Sequence, residues 1–149
     1  MKNHSIGKAI NFGMTLIPED RLSNALFLSN SVMENLSMVN LGEVSTLGKI
    51  NRRSEIKHSL KLVENFRIVT SDVHNTVNNL SGGNKQKVSF GKWLFADRKN
   101  RVFIFDEPTE GVDIGAKVEM YNIIGELAAQ GCGIILVSSD IEEIIGLSD

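Results

Sequence analysis

The stretch Val102-Phe103-Ile104-Phe105 followed by Asp106-Glu107-Pro108 constrains this chain more than any other. Four consecutive β-favouring apolar residues show no polar face, so they read as a strand buried on both sides. Pro108 cannot continue a central strand and ends it. In open α/β sheets ligands gather at the carboxyl ends of the strands, which is where Asp106 and Glu107 fall. One such carboxylate can hold a magnesium ion while its neighbour orients or deprotonates a water. A bare Asp-Glu pair is more often a solvated acidic turn, so the assignment depends on the rest of the chain.

Upstream, Gly13 to Ile17 reads as a second strand, stopped by Pro18 and followed by Glu19-Asp20-Arg21. If the two strands are neighbours, those charges line the same crevice as Asp106 and Glu107. Ser31-x-x-Glu34 has capping-box spacing and opens a short helix through Met38. Leu41 to Asn51, rich in Gly, Ser and Thr, reads as a mobile connection. From Arg53 to Phe66, Ile56, Leu60, Val63 and Phe66 fall at helical spacing and define an expected buried face. Ile68 to Asn79 reads as polar loop, and His58 and His74 as surface residues with no second ligand at metal spacing.

Leu80-Ser81-Gly82-Gly83-Asn84-Lys85-Gln86 then opens a helix expected to reach Ala96, with Val88, Gly91, Leu94 and Phe95 inward and Lys85 and Lys92 outward. Ser81 suits an N-cap, and Gly82-Gly83 lets a ligand approach the backbone closely. Such a helix start is fit for a terminal phosphate, although Ser-Gly-Gly before a helix is also a common plain loop. After the central strand, Asp113 is placed to cap a helix from Ile114 to Gln130. Its expected inward residues are Val118, Tyr121, Ile124, Leu127 and Ala128, with Gly131 as terminator. Gly133 to Ser138 reads as another buried strand, and Asp140-x-x-Glu143 as the start of a last helix. The alternation of strands and helices is an α/β class with a parallel sheet.

Composition excludes rather than selects. With 149 residues and 42% hydrophobic content the chain can bury a real core. A net charge of −2 gives no broad nucleic-acid surface. A lone Cys132 allows no internal disulfide and reads as a small residue at a helix–strand junction. No apolar run approaches the length of a membrane span.

Taken in order, L-S-G-G-N-K-Q, V-F-I-F-D-E-P, E-G-V-D and V-S-S-D resemble the nucleotide-binding domain of ABC transporter ATPases, over nearly the whole chain. The wording I-P-E-D-R, S-G-G-N-x-Q-K, D-E-P-T-x-G-V-D-I-G-A-K and S-S-D resembles, more narrowly, the C-terminal half of the tandem ATPase of ribose- and galactose-type sugar importers. The resemblance implies a partial P-loop NTPase domain over residues 1–149. Residues of about 30–96 would form a helical subdomain with the signature motif, and about 97–149 the core with Walker B, D-loop and switch region. It implies that Asp106 holds magnesium through a water and that Glu107 orients and deprotonates the attacking water, with Ser139 at the switch position. Ser81, Gly82 and Gly83, with Gln86 as a weaker candidate, would grip the γ-phosphate of ATP held by a second nucleotide-binding domain. Asp113 would couple the two domains, and Glu19 to Arg21 would report nucleotide state to the membrane permease subunits. A sugar-binding protein would act indirectly, no nucleic acid is expected, and the location would be cytoplasmic, on the inner face of the cell membrane.

Three departures qualify this. No G-x-x-x-x-G-K-[ST] occurs, so the chain reads as a fragment beginning after the phosphate loop, expected to be inactive alone and to self-associate. Ser139 stands where the family usually has histidine, and Glu19 where it has glutamine; both substitutions resemble the sugar-importer subgroup. An alternative is a structural or regulatory module that does not bind ATP on its own. A DNA-repair or translation-type ABC ATPase would call for a coiled-coil insertion or a basic face, and the sequence shows neither.

Overall fold

In a computed structural model describing residues 5–19, 25–95, 101–112 and 114–148, the chain begins with α1 (Ile6–Asn11), β1 (Met14–Ile17), α2 (Val32–Ser37) and a 3-10 segment (Met38–Val44). A hairpin of β2 (Ser45–Thr46) and β3 (Lys49–Ile50) leads into α3 (Arg52–Asn65) and α4 (Gly82–Gly91). Then come β4 (Val102–Asp106), α5 (Ile114–Ala129), β5 (Gly133–Val137) and α6 (Ile141–Leu147). These fall into two compact units, Met1–Glu19 with Lys99–Asp149, and Asp20–Arg98. The expected roles of Asp113, Asp20 and Arg21 lie outside the described residues. The helix expected to reach Ala96 instead ends at Gly91, followed by a 3-10 turn (Lys92–Leu94) and an extended Phe95 that breaks the helical path.

The first unit is built on a parallel sheet of order β1–β4–β5. Ile17 lies opposite Phe105, and Phe105 opposite Leu136, so residues in register share a face. Thr15, Ile17, Phe103 and Phe105 are buried on one face, where the two phenyl rings stack 6.0 Å apart. On the other face Val102 and Ile104 are half-buried, while Met14, Leu16, Ile135 and Val137 are exposed. The expectation that β4 and β5 are buried on both sides is therefore corrected. Apolar sequence reports that a strand tolerates burial, not that a second layer covers it.

Gly131 ends α5 as expected, at φ +85. Its N–H donates to Ala128 O (2.9 Å) and that of Cys132 to Leu127 O (3.1 Å), closing the helix in a Schellman motif. The inward stripe of α5 is Met120, Ile124 and Leu127; Val118 and Ala128 face solvent. Apolar residues on several sides of this helix left its phase open to more than one reading.

In the second unit, Ser31 and Glu34 form the capping box: the Ser31 N–H donates to Glu34 Oε2 at 2.9 Å and the Glu34 N–H to Ser31 Oγ at 3.2 Å. Buried Asn35 bridges the loop before α2, accepting from Phe27 N and donating to Phe27 O and Ser31 O. Around this packs a core of Val32, Leu36, Val44, Leu62, Phe66, Val77, Val88, Phe90 and Phe95. A Cβ at Gly91 would meet the Leu36 side chain at 3.0 Å, so α4 packs closely against α2 there.

Several expectations fail in this unit, some because polar groups that find internal partners are buried. The inward face of α3 is Glu55, Ser59, Leu62 and Phe66, and Leu60 is 51% exposed. Glu55 accepts from Ser37 Oγ at 2.6 Å and Arg52 Nη1 at 2.8 Å, which turns the helix away from its apolar phase. Lys92 is buried rather than outward, its Nζ donating to Ala25 O, and desolvation lowers its pKa. Residues 41–51 form ordered 3-10 and hairpin structure instead of a loose connection. Ile68, Val73 and Val77 pin the segment that reads as polar loop. His58 is half-buried, bonded to Ser54 O at 2.8 Å and 5.7 Å from the Phe95 ring.

Candidate functional site

The carboxyl end of β4 turns sharply. Glu107 adopts φ +47, a left-handed conformation rare for a side chain of this size and typical of functional turns. Its N–H donates to Val137 O at 2.9 Å, which locks the turn against β5. Its carboxylate then accepts two hydrogen bonds from one residue, from Ser139 N at 2.7 Å and Ser139 Oγ at 3.2 Å. Asp106, the last residue of β4, is half-buried beside it. The carboxyl edge of the sheet thus orients Glu107 through a residue that follows the neighbouring strand.

Because β1 pairs with β4, Glu19 emerges at the same edge. Its pKa is raised, first by the charge of Glu110, next by a hydrogen bond with Glu110, then by desolvation, and last by Asp106 and Glu107. Glu19, Asp106, Glu107 and Glu110 therefore share one electrostatic field. Glu110 opens the E-G-V-D stretch that the resemblance marks as the D-loop, but its pairing with Glu19 was not foreseen from the sequence. It lies one turn beyond Glu107, where its N–H donates to Glu107 O at 3.3 Å. Among the described residues no group of three or more His, Cys, Asp or Glu could hold a metal by protein ligands alone. Clustered oxygen donors that stop short of a cage fit magnesium, which keeps waters and shares phosphate oxygens.

At the start of α6, Asp140 accepts from the N–H groups of Glu142 (3.0 Å) and Glu143 (3.4 Å) and from Lys117 Nζ at 3.0 Å. Lys117, through its hydrogen bond, lowers the Asp140 pKa, and its own is raised. This pair ties α5 to α6 just beyond Ser139. Glu143 is buried, and among the described residues neither of its carboxylate oxygens has a hydrogen-bond partner.

The second cluster lies on the other unit. Ser81 caps α4, its Oγ accepting from Asn84 N (3.4 Å) and Asn84 Nδ2 (2.9 Å). Asn84 Oδ1 accepts from Val69 N at 2.8 Å, so the turn is braced from the side. Ser81 and Gly82 are exposed, and open space lies where a Gly82 side chain would project. Such a helix start offers amides and the positive dipole end to an anion. Gln86 is only 4% exposed and turns into the subdomain, so it presents no surface to another molecule.

A family model described as ABC transporter matches residues 6–110. The chain belongs to the ABC transporter family. It is 45% identical over 141 residues to a ribose import ATP-binding protein of Rhodopirellula baltica, covering 95% of this chain and 27% of that protein. Against a xylose import ATP-binding protein of Thermoanaerobacter pseudethanolicus the identity is 43% over 141 residues, covering 95% and 28%. The chain therefore spans little more than a quarter of these relatives' length. An ATP-binding cassette solved in its ADP conformation superposes with TM-score 0.75 at 18% identity, over 100% of this chain and 59% of that one. A dimeric cassette in a post-hydrolysis state bound to ADP and Pi gives TM-score 0.73 at 16% identity, over 94% and 59%. At those identities the likeness establishes the fold: a parallel α/β sheet with a helical part, as in those ATP-binding cassettes.

Proposed function

We propose that this chain is part of the ATP-hydrolysing subunit of an ABC importer for a monosaccharide such as ribose or galactose. The observation carrying the reading is Glu107, held at the carboxyl edge of the sheet by both donors of Ser139. In the complete protein two nucleotide-binding domains close head to tail around ATP. Glu107 orients and deprotonates the attacking water, and Ser139 fixes the direction of its carboxylate. Asp106 would help to hold magnesium, which would supply neutralisation of phosphate charge. Phosphoryl transfer asks chiefly for positioning and charge stabilisation, and these groups suit it.

Ser81, Gly82 and Gly83 complete the partner domain's site by donating to the γ-phosphate, and Gln86 supports them only through the helix it helps to bury. Asp113 couples the two domains, and Glu19, in the field of Glu110, reports nucleotide state to the permease subunits. The sugar-binding protein acts indirectly, and the assembly sits on the cytoplasmic face of the membrane. Among the described residues no helix is long and apolar enough to cross a membrane, which suits a subunit that works through permease partners.

A second reading has an observation of its own. The sequence holds no G-x-x-x-x-G-K-[ST], the loop whose amides and lysine grip the β- and γ-phosphates. On that reading the chain alone binds ATP weakly and acts as a structural or regulatory module. The exposed sheet face of Met14, Leu16, Ile135 and Val137 supports self-association of the isolated chain. Reconstituting the complete protein with its permease in vesicles, and measuring ATP-driven uptake of labelled ribose, galactose and xylose, tests the importer reading. Uptake of none of them, with ATP hydrolysis intact, would overturn it.

A further inference from the structure

We propose that Lys117 is a positioning residue for ATP hydrolysis, holding Ser139 on Glu107 through Asp140. The inference rests on the ATPase reading above and deepens it. Ser139 follows β5 and aims both of its donors at Glu107, the N–H at 2.7 Å and the hydroxyl at 3.2 Å. It lies at an exposed edge, where keeping one direction costs conformational entropy unless its neighbours are already fixed. On the strand side they are: Val137 pairs with Asp106, and its carbonyl accepts from the Glu107 N–H at 2.9 Å. On the helix side the anchor is Asp140.

The Asp140 N–H donates to Ser138 Oγ at 3.0 Å, closing a small turn around Ser139. Its Oδ1 accepts from the N–H groups of Glu142 and Glu143, at 3.0 and 3.4 Å. Those bonds are local, so they shape the turn without fixing it against the sheet. The Oδ2 reaches a different element, accepting from Lys117 Nζ at 3.0 Å. Lys117 belongs to α5, which is held by its buried residues Met120, Ile124 and Leu127. The bond to Lys117 therefore references the Ser139 turn to a packed helix. Helix energetics alone would not choose this lysine. It is the fourth residue of α5, in the first turn, where the positive end of the helix dipole disfavours a cation. Asp140 is the first cause of the raised Lys117 pKa, and Lys117 of the lowered Asp140 pKa, so both partners stay charged. With side chains 30% and 39% exposed, the pair contributes little to stability. What it supplies is direction, one residue away from the group that aims Glu107.

The test is single-turnover ATP hydrolysis in the complete protein with the second site disabled. Lys117→Met, Lys117→Arg and Asp140→Asn are compared, and Lys117→Met is also combined with Glu107→Gln. Lys117→Met lowers the cleavage rate about threefold to fivefold, the reach of a solvent-screened pair, and leaves ATP affinity unchanged. Lys117→Arg, which keeps the charge, recovers most of the rate. Asp140→Asn, whose amide oxygen can still cap α6, reproduces the Lys117→Met loss, and the two together add nothing further. In the Glu107→Gln background Lys117→Met leaves the slow residual rate unaltered, because the carboxylate it serves is gone. A loss of folded protein would lower the rate by the same factor in both backgrounds. A Lys117→Met rate equal to wild type, an equal fold-loss with and without Glu107, or an arginine variant no better than methionine would overturn the proposal. Glu107→Gln sets the two readings apart. If it stops cleavage while Lys117→Met is silent, the role of Lys117 alone is lost; if it leaves cleavage at the wild-type rate, the ATPase reading and this proposal fall together.

Discussion

Replacing Ser139 with alanine separates two roles that the family position alone leaves merged. The alanine keeps the backbone N–H that reaches Glu107 at 2.7 Å and removes the hydroxyl at 3.2 Å. Both groups lie at an exposed edge, so the lost bond is worth about 1 kcal/mol, the ordinary net value of a hydrogen bond and less than that of a bond to a charged group away from solvent. If Ser139 acts by aiming the Glu107 carboxylate, turnover in the complete protein falls roughly fivefold and KM for ATP is unchanged. If its hydroxyl instead stabilises charge on the reacting phosphate, the loss is on the order of 10²–10³. The assay is steady-state ATP hydrolysis with the second site disabled, so that only this Glu107 is read. A fall of 100-fold or more would refute the positioning role, and so would a rate equal to wild type.

Three further outcomes test the fold. Leu62→Ala costs about 2–5 kcal/mol in urea unfolding, whereas Leu60→Ala stays within about 0.5 kcal/mol, the reverse of what apolar spacing implies for Leu60; equal losses would return the buried face of α3 to its apolar phase. Ser31→Ala removes the α2 cap and costs about 1 kcal/mol. The Ser31 N–H, and after it the hydroxyl, lower the Glu34 pKa. The box thus stabilises at pH values above the unfolded carboxylate range and fades as pH falls through the folded value. Glu34→Gln should flatten that acid limb of a stability–pH curve, and an unaltered limb would remove the box as its source.

Local signals carried much of the fold because each was self-contained. Ser31, Ser81 and Asp140 accept from amides two or three residues onward, and Gly131 takes a conformation that side chains disfavour, so none waits on distant structure. The parallel pairing was within reach, since strands rich in Val, Ile and Phe with helices between them pair in parallel, whereas the strand order was not read from the sequence. Burial of polar groups was not legible. Glu55 and Lys92 are inside because Ser37, Arg52 and the Ala25 carbonyl come to meet them, and those partners stand 3 to 67 positions away. The same limit hid the grip of Ser139 on Glu107, 32 residues apart, and the field that Glu110 imposes on Glu19. A sequence displays which side chains are able to meet, and the fold decides which ones do.

The central claim is that Glu107 activates the water at this site while the Ser81 turn serves a neighbouring domain. It is tested most directly by single-turnover hydrolysis in the complete protein carrying Glu107→Gln, with the other site disabled. The account predicts that ATP is bound and retained but not cleaved on the wild-type timescale. Cleavage at the wild-type rate would contradict it.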